Sequence, residues 1–217
     1  LHLLSRRQRQ MCIRDRDGTL WDSTQTVVKS WSKVCREDPR VKKIPDAKDI
    51  QGIMGLTLEK IAKRFFPYLS LEEGLEILDR CAQDEVGLIL EEGGRLFEGL
   101  EAVLREVSAR YPLFIVSNCH MGYIEAFLTH HRLGQYFCDT ENHGHTGLSK
   151  GRNIRLVMER NHWDHIVYLG DTQGDYDAAQ EAQVSFLHAA YGFGTVDVPV
   201  PAITDIRDLP RWLQQEE

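Results

Sequence analysis

The sequence predicts an α/β fold: a parallel sheet flanked by helices, with an all-helical block inserted after the first strand. Three observations predict it. PLFIVS (112–117), HIVYL (165–169) and VSFL (184–187) are short, nearly continuous apolar runs, the pattern of strands buried on both faces. Helix-periodic segments alternate with these runs, which is the order of βαβ units. Residues 22–93 carry helical signals alone.

Within that block, Asp22 and Gln25 stand three apart like a capping box, ahead of Val27, Val28, Trp31, Val34 and Cys35 at helical spacing. Pro39 and Pro45 bracket a loop. Thr57 opens a second helix whose apolar face is Leu58, Ile61, Ala62, Phe65 and Phe66, stopped at Pro67. Ser70 with Glu73 starts a third, bearing Leu71, Leu75, Leu78, Ala82 and Val86 and ended by Gly93-Gly94. Further on, Leu100, Val103, Leu104 and Val107 mark the helix before PLFIVS. Tyr123, Ile124, Phe127 and Leu128 mark the next, and Ile154, Leu156, Val157 and Met158 the one before HIVYL. The expected organisation is an α/β core of residues 15–21 and 94–217, a helical insertion of residues 22–93, and a separate segment 1–14.

That first segment carries Arg6, Arg7, Arg9 and Arg14 and no acid, although the whole chain has a net charge of -7. Its basic cluster follows the apolar stretch, so a secretory signal is excluded. RRQRQMCIRDR resembles translated sequencing-adapter read-through, and the segment is expected to be a sequence artefact rather than a natural basic arm, which would leave the strand leading into Asp15 partly wrong. Composition bounds the rest. A chain of 217 residues with 42% hydrophobic and 27% charged residues builds an ordinary globular core. No apolar run reaches the roughly 18 residues of a membrane helix. The acidic balance argues against nucleic acid or an anionic membrane as partner. Cys12, Cys35, Cys81, Cys119 and Cys138 form no CxxC pair and read as reduced, mostly buried thiols, which implies a cytoplasmic location.

The chemistry concentrates in four places. Asp15-Arg16-Asp17-Gly18-Thr19 sets two carboxylates at i and i+2 of an extended chain, hence on one side, and Gly18 permits a sharp turn away. Gly170-Asp171-Thr172-Gln173-Gly174-Asp175 sets two more directly after the HIVYL strand. Ser117-Asn118 ends PLFIVS with a hydroxyl and an amide, and Lys150 stands between a glycine-containing loop and a helix. In open parallel sheets ligands bind beyond the carboxyl ends of the strands. Paired carboxylates there suit a hard cation such as Mg²⁺ and divide labour between nucleophile and proton carrier. Carboxylates, hydroxyl and lysine gathered at strand ends fit phosphoryl transfer.

The order DxDGT, strand-Ser-Asn, Lys, GDxxxD resembles the haloacid dehalogenase-like hydrolase superfamily, over residues 15–194. The helical block resembles the first cap type of that superfamily, as in phosphoglycolate phosphatase-like members. The resemblance implies a Rossmann-like core, a small all-helical cap, and a Mg²⁺-dependent phosphatase of small phosphate esters. It implies Asp15 as the nucleophile that becomes an aspartyl-phosphate and Asp17 as the acid and base. Ser117, Asn118 and Lys150 would hold the phosphoryl oxygens. Asp15, the carbonyl of Asp17 and Asp171 would hold Mg²⁺, with Asp175 ligating directly or through water, and Thr172 would support the site. Superfamily members that act on haloacids lack the second aspartate, so Asp17 argues for phosphate esters. The departure from the pattern is the arginine-bearing strand ahead of Asp15, where an apolar one is usual.

Three alternatives share these features: a phosphomutase of the β-phosphoglucomutase type, a silent phosphate-binding protein, and a receiver-like signalling module. The last is disfavoured by the 70-residue insertion. His143 and His145 read as a polar turn rather than a zinc site, and Cys119 as a small buried residue. Trp31, Phe65 and Phe66 read as packing between helices. The GIMGLT loop (52–57) would face the site by resemblance, and Tyr191-Gly192-Phe193-Gly194 reads as a tight turn near the sheet edge.

Overall fold

Apolar runs without polar alternation are satisfied only between two layers, and that is where they lie. The computed structural model describes residues 10–14 and 16–215, with side chains from residue 18 onward. The chain begins with β1 (Gln10–Arg14), a π-helical turn (Arg16–Leu20) and β2 (Trp21–Asp22). The helices α1 (Thr24–Glu37), α2 (Ala47–Gln51), α3 (Leu58–Phe65) and α4 (Leu71–Glu92) follow. Next come β3 (Arg95–Leu96), α5 (Leu100–Ser108), β4 (Leu113–Ser117), α6 (Tyr123–His131), β5 (Asp139–Asn142), α7 (His143–Thr146) and α8 (Lys150–Asn161). The last part holds β6 (Ile166–Gly170), α9 (Gln173–Ala182), β7 (Ser185–Ala189), β8 (Ala202–Ile203) and α10 (Leu209–Gln215).

Six of the strands form a parallel sheet in the order β5-β4-β1-β6-β7-β8. β1 lies between β4 and β6, with Ile13 opposite Ile115 on one side and Leu169 on the other. Because side chains alternate, each strand feeds both faces. Leu113, Ile115, Val167, Leu169 and Leu187 pack with α5, α6 and α10 on one face, while Phe114, Val116, Ile166, Tyr168 and Phe186 pack with α8 and α9 on the other. The helices between β2 and β3 enclose an apolar cluster of their own, including Val27, Trp31, Ile61, Ile77, Leu78 and Cys81. The short antiparallel pair β2–β3, with Trp21 opposite Leu96, joins both ends of this helical block to the sheet.

Several local expectations are corrected. Ser23 holds the N-cap position of the first helix without a side-chain cap bond, and Asp22 accepts the backbone N–H of Thr24 at 3.0 Å. The loop between Pro39 and Pro45 leads directly into α2, whose Asp46–Asp49 capping box went unread because the helix has only five residues. The buried stripe of α4 is Ile77, Leu78, Cys81, Ala82, Glu85 and Ile89, whereas Leu71 is exposed. Gly74 of the same helix packs closely on α3: a Cβ there would stand 3.1 Å from Ala62 Cβ. β5 reads DTEN, a polar edge strand that apolar patterning misses; Arg160 of α8 pairs with Asp139 at 2.6 Å and Glu141 at 2.7 Å. Among the described cysteines Cys35 and Cys81 are buried, Cys119 is half-buried and Cys138 is exposed, so "mostly buried" overstates the case. No helix among the described residues is long and apolar enough to cross a membrane.

Candidate active site

The registers Arg14↔Val116 and Ile13↔Leu169 bring the ends of β4 and β6 to either side of the end of β1. Ser117 is the last residue of β4, and Asp171 follows β6. Lys150 opens α8 behind the N-cap Ser149, and Asp175 lies in the first turn of α9. Asp15 and the side chain of Asp17 lie outside the described residues.

Asp171 is nearly fully buried and held by the loop of residues 191–194. Its Oδ2 accepts the backbone N–H of Phe193 at 3.0 Å and of Gly194 at 3.2 Å, and Thr19 Oγ1 stands 3.4 Å from its Oδ1. The Tyr191 hydroxyl donates to the carbonyl of Thr19 at 2.9 Å, which ties the same loop to the turn after β1. Burial, reinforced by the charge of Asp171, pushes the Tyr191 phenol up, so it remains a donor. Residues 191–194 therefore form a carboxylate-binding turn rather than a simple edge turn. The available signal was glycine spacing: a Cβ on Gly192 would lie 2.4 Å from Asp171 Cβ and 2.3 Å from the Gly18 carbonyl oxygen. Gly18 itself has φ +84, and a Cβ there would lie 2.2 Å from Asp171 Oδ2.

Lys150 is 4% exposed, with Nζ 2.9 Å from Asp175 Oδ1. The other oxygen of Asp175 accepts the backbone N–H of Thr172 at 2.9 Å and its hydroxyl at 2.6 Å. Asp175 thus fixes the lysine ammonium and closes the first turn of α9 at once. A buried ion pair of this kind is costly to break, because either partner alone is left with its desolvation penalty.

Beyond β4, the backbone N–H of Cys119 donates to Ser117 Oγ at 3.3 Å. Asn118 Nδ2 donates to the Gly55 carbonyl at 2.9 Å, so the 52–57 loop does meet the end of β4. A cleft opens between Ser117–His120 and the helical block, walled by Val27, Trp31, Ile53 and Ile61. Glu85 of α4 also lines it; it is 3% exposed and accepts the Trp31 indole N–H. Trp31 therefore both packs between helices and faces the cleft, as does half-buried Cys119. Glu85 was legible only as an acid interrupting the buried stripe of α4.

The two histidines of α7 are tied locally. His143 Nδ1 lies 2.9 Å from the Leu148 carbonyl oxygen and His145 Nδ1 lies 2.8 Å from Glu141 Oε1. Among the described residues no group of three or more His, Cys, Asp or Glu side chains stands close enough to hold a metal ion.

Comparison with known proteins bears on this arrangement. The profile of the haloacid dehalogenase-like hydrolase family matches residues 12–189. No curated protein sequence matches the chain. Among solved structures, a haloacid dehalogenase-like family hydrolase from Streptococcus pneumoniae has a TM-score of 0.81 at 23% identity, covering 95% of this chain and 99% of that one. A predicted phosphoglycolate phosphatase from Haemophilus somnus has a TM-score of 0.80 at 18% identity, with coverage of 95% and 99%. A β-phosphoglucomutase from Clostridium difficile has a TM-score of 0.74 at 16% identity, with coverage of 96% and 96%. At such identities the likeness to these structures is one of fold, and it is the profile match that decides membership. Extending over most of the chain and all four strand-end motifs, it establishes that this protein belongs to the haloacid dehalogenase-like hydrolase family.

Proposed function

We propose that the chain is a Mg²⁺-dependent phosphatase that hydrolyses a small phosphate monoester through an aspartyl-phosphate on Asp15. The observation that carries this reading is the clustering of Ser117, the Lys150–Asp175 pair and buried Asp171 around the end of β1, which leads directly into Asp15. Residues 22–93 serve as a cap over the cleft, with residues 15–21 and 94–217 as the core; β1 (Gln10–Arg14), an inner strand of the sheet, belongs with that core rather than with a separate segment 1–14.

The residues suit a hard cation. The available donors are oxygens, and Asp171 is a buried carboxylate. Asp15, the carbonyl of Asp17 and Asp171 would hold Mg²⁺. Asp175, already bonded to Lys150 and Thr172, would contribute through water. When bound, the ion neutralises charge on the phosphoryl oxygens.

The chain's own groups supply the rest. A carboxylate oxygen of Asp15 attacks phosphorus while the bond from phosphorus to the ester oxygen breaks, and Asp17 gives that oxygen its proton. Asp17 then takes a proton from water, whose oxygen attacks the aspartyl-phosphate phosphorus and returns Asp15 and inorganic phosphate. The Lys150 ammonium, oriented by Asp175, holds a phosphoryl oxygen, and Ser117 Oγ with Asn118 holds another. The test is phosphate release from a panel of phosphorylated metabolites, with Mg²⁺ and with EDTA. Metal-dependent release is expected. Isomerisation of a sugar phosphate without release would instead assign a phosphomutase, and binding without turnover a silent phosphate-binding protein.

A further inference from the structure

The apolar cluster inside the helical block reaches the cleft at one edge. Met54 and Leu56, from the loop between α2 and α3, and Leu58, at the start of α3, line the cleft and are only half-buried. Val27, Ile53 and Ile61 line it with them. All six belong to that one cluster or pack against it, so they form a continuous apolar wall. Facing it is the end of β4, with Ser117 and Asn118. Wall and strand end are tied together. Asn118 Nδ2 donates to the Gly55 carbonyl at 2.9 Å, and the backbone N–H of Leu56 donates to the Ile53 carbonyl at 3.1 Å, closing residues 53–56 into a turn. Gly55 has φ +77, which glycine adopts without strain. One asparagine side chain thus spans the gap between the phosphoryl end of the cleft and its apolar wall. Glu85, His120 and Tyr123 also line the cleft. Apolar walls with a few polar groups set among them are the ordinary make-up of a small-molecule site.

We propose that the phosphate monoester taken by this site carries an apolar organic group, which lies against the wall of Val27, Ile53, Met54, Leu56, Leu58 and Ile61. Each methylene moved from water onto that wall tightens binding, whereas a hydroxyl placed against it gives up its hydrogen bonds to water. An alkyl phosphate is therefore preferred to a polyol phosphate of the same length. The inference rests on the phosphatase reading for placing the phosphoryl group at the Ser117 end. The wall sets specificity and takes no part in the chemistry.

The experiment is kcat/KM for phosphate release, in Mg²⁺, from methyl, ethyl, propyl and butyl phosphate and from glycerol 3-phosphate. Calorimetric binding of the matching alkylphosphonates, which cannot be hydrolysed, runs in parallel. The alkanols are closely similar leaving groups, so a gradient reports contact with the wall rather than reactivity. The expected rise is about fourfold per methylene, with propyl phosphate about tenfold above glycerol 3-phosphate. Met54→Gln, a polar change of similar size at a half-buried position, is expected to lower the butyl-to-methyl ratio about fourfold. Should that variant lose its thermal transition, the wild-type series alone carries the test. A flat or falling alkyl series, or a preference for glycerol 3-phosphate, overturns the proposal. A gradient in alkylphosphonate binding with no release from any ester removes the phosphatase reading and leaves the apolar selection standing. Release from every ester without a gradient does the reverse.

Discussion

Replacing Gly192 by alanine tests whether the loop after β7 sets the position of Asp171. The new Cβ would lie 2.3 Å from the Gly18 carbonyl oxygen and 2.4 Å from Asp171 Cβ. Carbon–carbon and carbon–oxygen contacts settle near 3.5 Å, so the Gly18 turn or Asp171 must retreat by about 1 Å. A misplacement of that size in a reacting constellation costs about 10²-fold in rate. Overpacking by one methyl costs about 1–3 kcal/mol of stability, which for a chain of this size lowers Tm by about 2–10 °C. The assay is kcat for phosphate release at saturating Mg²⁺, with thermal unfolding alongside. A Cβ on Gly134 meets nothing within 4 Å, so Gly134→Ala is the control and should change neither. The expected result is a folded Gly192→Ala protein with kcat down about 100-fold. Wild-type kcat in that variant would refute the link between the loop and the site.

Other expectations follow from particular contacts. Asp175→Asn removes the charge that faces Lys150 and should cost about 3–5 kcal/mol; adding Lys150→Met should restore part of the thermal midpoint but none of the activity. Hydrogen bonds from Arg40, with Arg80 close by, hold the Asp38 carboxyl at about 2, below its ordinary 3.8. Since the folded value is the lower one, this stabilisation is present above about pH 4 and is lost as pH falls toward 2. Asp38→Asn should therefore lower Tm by about 3–8 °C at pH 7 and make no difference near pH 2, as read by calorimetry.

What the sequence made legible depended on whether a signal was local. Continuous apolar strands such as LFIVS and IVYLG announce themselves because both faces are buried. Ser70–Glu73 was read correctly because a capping box is complete within four residues. The positions of Ser117, Lys150, Asp171 and Asp175 followed from their places after strands and before helices. The edge strand DTEN was not readable, because its stability comes from Arg160 on a helix elsewhere in the chain. The same holds for the 191–194 turn, whose amides meet Asp171 only after β7 has been laid beside β6. Glu85 was not singled out, because its burial beside the cleft depends on how α4 packs against α1 and its Trp31.

The central claim is that phosphate passes through Asp15. The direct measurement is acid quenching of the wild-type chain during turnover of a phosphate ester in Mg²⁺, followed by peptide mass spectrometry. The account predicts one phosphoryl group on the peptide containing Asp15, discharged by hydroxylamine, and absent from an Asp15→Asn protein that has also lost phosphate release. Undiminished release by Asp15→Asn, or a phosphoryl group carried on a different residue, would contradict it.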